Sequence, residues 1–569
     1  AALTLAGGSM SDDDLRGIFE RFGLGNPNQL QNTLVALQNR ALIFHTSLNI
    51  SLQQRISGSV HDIGWHVPLE VHAALRVTLP ITPFDVPKEK KSDTLHLQLA
   101  KPFRLLADLL LVARALDGKH FESDEKNIRD GSGRSFNAPS SAGGSILLPS
   151  PEGTPSEALL KSLQTVIPRP PAYLRFVIRL LRMAGILYRD GSGPLIVLPN
   201  VAGLLLGPPR AEVACELFSH WLSQAPYEEL FDLQEEGLHL CCRSTPLGQP
   251  ALRGGELDAE NSEARQTLMA LIAQAPLHQW ISFTAFTRFV YRLNPTFLQR
   301  RQRVFSSPHW WLEQEEGRVL RPTVLSDWSR AEGRYLARLV EGPLYWWGVC
   351  DLVHARDGRL LAFRLTSLAG LLLNGQAAEN IDEEEPLVNV REQLQGLSVT
   401  PDTDEVTIPC SSAYWPQIEL IETFAEVAGV ENEQLRYQLS PKSLSEAMGR
   451  GKDPAALLEV LQNANGEGME VPGQAQGTAS TRPPETPLRE RLANYGRIRI
   501  YTGVTLLELA DTLVLRELSA TTSLEKQVVQ SVSPTLLILK KQGAERLVEE
   551  LKRRGQVPLL HEEESYGAE

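Results

Sequence analysis

Two stretches of this chain repeat one order of elements, and that order narrows the folds open to it. Residues 173–206 read YLRFVIRLLRMAGILYRDGSGPLIVLPNVAGLLL. Phe176, Leu180 and Met183 fall on one helical face, with Val177 and Leu181 beside them, and Gly185 supplies a helix stop. Ile186 to Arg189 is a short strand, Asp190 to Gly193 supplies turn residues that accept positive φ, and Leu195 to Leu198 returns. Residues 334–374 follow the same course. A helix runs to about Val340, Tyr345 to Leu352 leads into a strand, Asp357 and Gly358 turn, Leu361 to Leu365 returns, and Thr366 to Gly370 starts a new helix. The two copies close on LPNVAG and LTSLAG. A weaker third copy lies in 30–75, where a helix ends near Gln38, a strand covers Ile63 to Val67, and WHVPLEVHAAL follows.

A helix, a small hairpin and a second helix predict a winged-helix module, a fold that serves both DNA binding and protein docking. Between the linkers the apolar spacing is mostly helical, as at Leu105, Leu106, Leu109, Leu110 and Ala113. The expected fold class is therefore α-rich α+β, with tandem winged-helix modules. Segments 120–156, 243–262, 375–404 and 465–487 are rich in Gly, Ser, Pro or acidic residues and mark boundaries or insertions. They set an N-terminal module over 10–90, a winged-helix module over 91–242 with a flexible insertion at 120–156, and a second over 263–375. An acidic linker over 376–404 carries Asp382 to Glu385 and precedes a C-terminal domain over 405–569 interrupted at 465–487. AALTLAGGS precedes Met10 and is set apart as a tag remnant over 1–9.

With 569 residues, 42% of them hydrophobic, the chain can fill about four domain cores at roughly 150 residues each. A net charge of -13 argues against a whole-surface coat for nucleic acid and leaves room for a local basic face. Five cysteines, Cys215, Cys241, Cys242, Cys350 and Cys410, form no Cys-x-x-Cys pair. That usage fits a reducing compartment, so the expected location is the cytoplasm. The longest apolar run, Leu105 to Leu116, is short for a bilayer and carries Asp108 and Arg114.

No enzyme motif emerges. A phosphate-binding G-x-x-x-x-G-K-[ST] loop is absent; Gly118-Lys119-His120 and Gly451-Lys452-Asp453 lack the following hydroxyl and the earlier Gly. G-x-S-x-G, H-E-x-x-H and G-x-G-x-x-G are also missing. His239 with the adjacent Cys241 and Cys242 lacks the spacing of a zinc site. The expectation is a chain with no catalysis, cofactor, metal or small-molecule substrate of its own.

Charge is distributed more informatively. From Trp280 through Leu312 no Asp or Glu occurs, while Arg288, Arg292, Arg300, Arg301 and Arg303 alternate with Phe286, Phe289, Tyr291 and Phe297. The arginines suit phosphate contact, and the aromatics, at helical spacing, suit a core. A second strip carries Arg497 and Arg499 on alternate strand positions, with Lys540, Lys541, Lys552, Arg553 and Arg554. Trp346 and Trp347 read as core packing beside a hairpin rather than as a stacking platform.

GPLYWWGVCDL (342–352) followed by FRLTSLAGLLL (363–373) resembles the bacterial helicase-associated proteins that are similar to the N-terminal domain of the XPB helicase. YQLSPKSLSEAMGRGKDPAALLEVLQ (437–462), LANYGRIRIYTGVTLLELADTLVLREL (492–518) and VSPTLLILKKQGAERLVEELKRRGQVPLL (532–560) extend the likeness, which covers most of 160–560. The resemblance implies an XPB-N-terminal-like α/β domain over 405–569. It also implies an adaptor beside a separate helicase or ATPase motor, comparable to the winged-helix XPB-binding subunit of TFIIH, in DNA repair, transcription or DNA-targeting defence. DNA and the motor are the implied partners. Two other readings stay open: a sequence-specific winged-helix transcription regulator, and a scaffold that binds only proteins.

Overall fold

The computed structural model describes residues 2–5, 8–46, 64–75, 79, 81–85, 95–121, 145–148, 151, 153–189, 193–226, 228–243, 252, 254–299, 310–314, 317–376, 397–400, 404–464 and 505–554. Helix exceeds strand, about 52% against 21%, and the strands pair antiparallel in small separate sheets. The class is thus mixed, α-rich and compatible with α+β. The chain divides into two compact units, residues 1–478 and 479–569.

One arrangement recurs along the first unit: a short strand, one or two helices, a hairpin whose second strand pairs with that first strand, then a helix. At the N-terminus it comprises β1 (Ser9–Met10), α1 (Asp12–Arg21), α2 (Pro27–Gln38), β2 (Phe44–Thr46), β3 (Gly64–His66) and α3 (Leu69–Ala74), with β3 between β1 and β2. Ser11 caps α1, and Asn26 with Gln29 forms a capping box on α2. Gly64 has φ +144, and a Cβ there would stand 2.4 Å from the Met10 carbonyl oxygen, so a glycine is what lets β3 lie against β1. Near the N-terminus, Leu3 and Leu5 are buried and Ser9 pairs with His66.

The second copy follows β4 (Leu95–Gln98) and runs through α4 (Arg104–Leu116), β5 (Ser145–Leu147), α5 (Glu157–Gln164), α6 (Pro171–Met183), β6 (Leu187–Arg189), β7 (Leu195–Val197) and α7 (Val201–Leu206). Here the turn residues Asp117–Lys119, which form no strand, stand in place of the first strand. The Gly118 N–H donates to the Leu195 carbonyl at 2.9 Å, and the Leu195 N–H donates to Lys119 at 2.8 Å. Helix α4 is apolar almost all round and buried along its length except at Arg104 and Arg114, the habit of an interior helix. Among the described residues no helix is long and apolar enough to cross a membrane.

After α8 (Arg210–Gln224) and β8 (Leu238–Arg243), the third copy comprises α9 (Gly254–Ile272), β9 (Trp280–Ser282), α10 (Phe283–Leu293), β10 (Trp310–Gln314), α11 (Leu325–Arg330), α12 (Glu332–Leu339), β11 (Cys350–Ala355), β12 (Leu360–Leu365) and α13 (Ser367–Asn374). β12 pairs with both β11 and β9, and β4 extends the sheet along β11. Asp351 ties that edge, accepting the Ala100 N–H at 2.8 Å while gripped by Arg364 at 2.5 and 2.9 Å. β8, β10 and β5 form a separate sheet.

A fourth copy closes the unit: β13 (Ser398–Thr400), β14 (Glu405–Pro409), α14 (Trp415–Phe424), β15 (Glu426–Glu431), β16 (Gln434–Gln438), α15 (Pro441–Gly449) and α16 (Ala455–Ala464), with β16 between β14 and β15. Its hairpin turns on Asn432 and Glu433, both at positive φ (+50 and +63). The Glu433 carboxylate is held by Arg169 at 2.7 and 3.0 Å and by Arg104 at 2.7 Å. Both arginines also approach the buried Asp108 carboxylate, at 3.3 Å each.

The second unit comprises β17 (Thr505–Glu508), α17 (Thr512–Thr521), α18 (Leu524–Gln527), β18 (Val528–Ser533), β19 (Leu536–Leu539) and α19 (Lys541–Arg553), with β19 between β17 and β18. Leu509, Leu518, Leu524, Leu537, Leu539, Leu547 and Leu551 make its core.

Candidate nucleic-acid interface

The arginine-rich helix is α10. Ser282 caps its start, and Phe283, Phe286, Val290 and Leu293 turn inward. That spacing leaves Arg288 and Arg292 exposed on the opposite face. The interleaved aromatics pack: Phe286 lies edge-on to Phe363 at 5.3 Å, Phe289 meets Phe22 at 5.9 Å, and Tyr291 meets Trp328 at 5.4 Å. Helix α1 docks alongside, where the Arg21 guanidinium donates to the Arg292 carbonyl at 2.7 Å and is lowered from its usual pKa by burial. Arg300, Arg301, Arg303, Arg497 and Arg499 lie outside the described residues, so of the seven candidate arginines the structure brings together only Arg288 and Arg292.

The helices that lead into the second and third copies' hairpins are not free surfaces. On α12, Glu332, Gly333, Tyr335, Leu336, Ala337 and Leu339 are buried. Its two cations both grip Glu236: Arg334 at 2.5 and 2.8 Å, Arg338 at 2.6 Å. Burial pushes the Glu236 carboxyl up, but the bonds from Arg334 and Arg338 outweigh it and hold the group below its usual range. Among the described residues no arginine pairs with Glu332, and burial raises it to about 8. Helix α6 buries Tyr173, Leu174, Phe176, Val177, Ile178, Leu180 and Leu181. Its Arg175 pairs with Asp232 at 2.8 Å, and its Arg179 with Glu228 at 2.9 Å. A small cleft of about 100 Å³ lies among these pairs beside Trp346; its charges serve one another. Trp347 is buried, and both tryptophans pack against Phe176.

The hairpins themselves carry the signal that spacing alone did not isolate. Both hairpin sequences carry Arg-Asp-Gly, Arg189-Asp190-Gly191 and Arg356-Asp357-Gly358; Asp190 and Gly191 lie outside the described residues. Arg189, Arg356 and Arg359 are exposed. At the second tip Gly358 takes φ +81, and the Asp357 carboxylate accepts the Arg359 N–H at 3.1 Å, fixing the turn. Repetition of the tripeptide was visible in the sequence; the exposure of Arg189, Arg356 and Arg359 was not.

The thiols are quiet. Burial pushes Cys241 up to about 12, with Glu313 adding to it, and raises Cys350 and Cys410 as well. Compared with known proteins, the chain matches no protein-family model and no curated protein sequence.

Proposed function

We propose that the chain is a non-catalytic, DNA-binding adaptor that docks on a separate helicase or ATPase motor in DNA repair, transcription or DNA-targeting defence. The recurring strand–helix–hairpin–helix order supports reading the copies as tandem winged-helix modules. The observation that carries the DNA part is the exposure of Arg189, at the end of β6, and of Arg356 and Arg359, at the turn between β11 and β12. Arginines on projecting turns contact backbone phosphates and position a duplex without reading it. The helix before the hairpin is the usual base reader in such modules. In two copies, α6 and α12, that helix is largely buried, and Arg175 and Arg179 on the first and Arg334 and Arg338 on the second are paired with carboxylates. Binding is therefore expected to be sequence-independent, which disfavours the transcription-regulator reading. The motor partner rests on the resemblance to helicase-associated proteins.

The test has two arms. Labelled duplexes of unrelated sequence should bind the purified full chain with equal affinity, and a tagged chain recovered from its native host should carry an ATPase. Equal duplex binding without any ATPase removes the motor. An ATPase recovered without DNA binding at low salt leaves the scaffold that contacts only proteins.

A further inference from the structure

Helix α10 is joined to the turn and helix that follow β10. The Tyr291 hydroxyl donates to the Thr323 carbonyl at 2.9 Å, and the Tyr291 ring meets Trp328 at 5.4 Å. The Trp328 Nε1–H donates to the Pro295 carbonyl at 2.9 Å. These contacts fix the end of α10 against residues 321–330, so the two make one platform. Arg288 and Arg292 stand one helical turn apart on a single face of α10, with Tyr291 beside them. Arg321 lies two residues before Thr323, and Arg330 two residues after Trp328; all four arginines are exposed. Among the described residues no carboxylate pairs with any of these four guanidinium groups. Of the acids close by, Asp327 is buried and gripped by Arg318, and Glu20 on α1 stands against Arg21. In a chain of net charge -13 the platform is a local reversal of sign.

The same platform exposes aliphatic surface, since Val324 and Leu325 are 40% and 48% exposed. Backbone phosphates offer such side chains nothing. The bases of a single strand need open rings to stack on, and here Phe286, Phe289 and Tyr291 are packed against Phe363, Phe22 and Trp328. Cations set around aliphatic side chains match carboxylates interleaved with aliphatic residues. We propose that α10 and residues 321–330 form a docking surface for an acidic amphipathic segment of a partner protein. Its carboxylates meet Arg288, Arg292 and Arg321, and its aliphatic side chains cover Val324 and Leu325. The inference goes beyond the DNA-binding reading. It gives protein docking a place in the third copy, on residues other than those of the hairpins, and holds for a motor or for any other partner that carries such a segment.

The experiment measures fluorescence anisotropy on the full chain with three labelled peptides of equal length and a labelled 15-base-pair duplex. The first peptide repeats two glutamates and two leucines; the second has serine for leucine, and the third lysine for glutamate. The variants are Arg288→Ala/Arg292→Ala, Arg288→Glu/Arg292→Glu, Leu325→Ser and, as a control, Arg356→Ala/Arg359→Ala. The glutamate–leucine peptide should bind the wild type most tightly of the three. Arg288→Ala/Arg292→Ala should weaken it about tenfold, the scale of two exposed charge pairs, and Leu325→Ser about fivefold. Arg288→Glu/Arg292→Glu should lose the glutamate–leucine peptide and gain the lysine–leucine one, a swap that a folding defect does not produce. The control should bind the peptides as the wild type does. Equal binding of the serine and leucine peptides, or binding indifferent to Arg288→Ala/Arg292→Ala, overturns the docking surface. Duplex binding lost in Arg288→Ala/Arg292→Ala, with no peptide bound by the wild type, assigns the platform to nucleic acid and also overturns it. The expected peptide pattern in a chain that binds no duplex keeps the docking surface and refutes the DNA-binding reading.

Discussion

Glu229→Gln is expected to destabilise the first unit severely, although it changes one atom in shape. Arg265 on α9 is fully buried, and its guanidinium donates to both Glu229 carboxylate oxygens at 2.9 and 2.7 Å. Its remaining N–H groups reach the carbonyls of Trp221, Ala225 and Pro226 at 2.6 to 3.1 Å. Glu229 also accepts from the Asn261 amide at 2.9 Å, and Asn261 in turn accepts from the Tyr335 hydroxyl on α12 at 2.8 Å. All three groups facing Glu229 are therefore donors. Glutamine offers one acceptor and turns an NH₂ toward one of those donors, while Arg265 stays charged in a dry site. Breaking a buried pair from one side costs about 3–5 kcal/mol. Urea unfolding followed by tryptophan fluorescence reads this unit alone, because all nine tryptophans precede residue 479. The double variant Glu229→Leu/Arg265→Met removes both charges and should recover most of the loss. A Glu229→Gln chain within about 1 kcal/mol of the wild type, the range of a surface pair, would refute the reasoning.

Three further outcomes are expected. Glu332, held to about 8 by burial, keeps its proton in the folded state where the unfolded chain has lost it. Stability should therefore fall as pH rises above about 4.3 and level off past about 8, by up to about 1.4 kcal/mol per unit; Glu332→Gln should flatten that slope in pH-dependent unfolding. Glu433 behaves oppositely, since the Arg169 and Arg104 contacts hold it below its usual range. Its contribution is present above the unfolded carboxylate pKa and lost as pH falls through the folded one, so Glu433→Gln should cost about 1–2 kcal/mol at neutral pH, discounted for its partial exposure, and little in acid. Glu433→Gly should lose less than Glu433→Ala in the same unfolding assay, because φ +63 costs a residue with a Cβ roughly 1 kcal/mol.

Much of the local fold could be read from the chain because strong local rules wrote it. The helix stop at Gly185 (φ +68), the Asp357-Gly358 turn and the helix after Thr366 stand where their residue chemistry puts them. The first strand of the N-terminal copy was illegible: Ser9–Met10 is too short to show alternation and exists through pairing with the distant Trp65 and His66. The link from Val340 to Leu344 is a π-helical turn broken at Gly342, which no apolar period announces. Charge was the hardest layer. Arg334 and Arg338 look available in sequence, yet Glu236, about a hundred residues away, takes both. Arg288 and Arg292 are on the surface because their apolar neighbours own the buried face. The C-terminal stretch read as one domain over 405–569 is distributed between the two compact units, since 405–464 packs within the first.

The salt dependence of duplex binding tests the proposed role most directly. Affinity of the full chain for a 20-base-pair duplex should be measured across a salt series, wild type against Arg189→Ala/Arg356→Ala/Arg359→Ala. If the hairpin tips hold phosphates, log K should fall steeply with log salt in the wild type, and loss of three contacts should reduce that slope by about 2.7. An unchanged slope in the triple variant, or no duplex binding at low salt, would contradict a DNA-binding role for these hairpins.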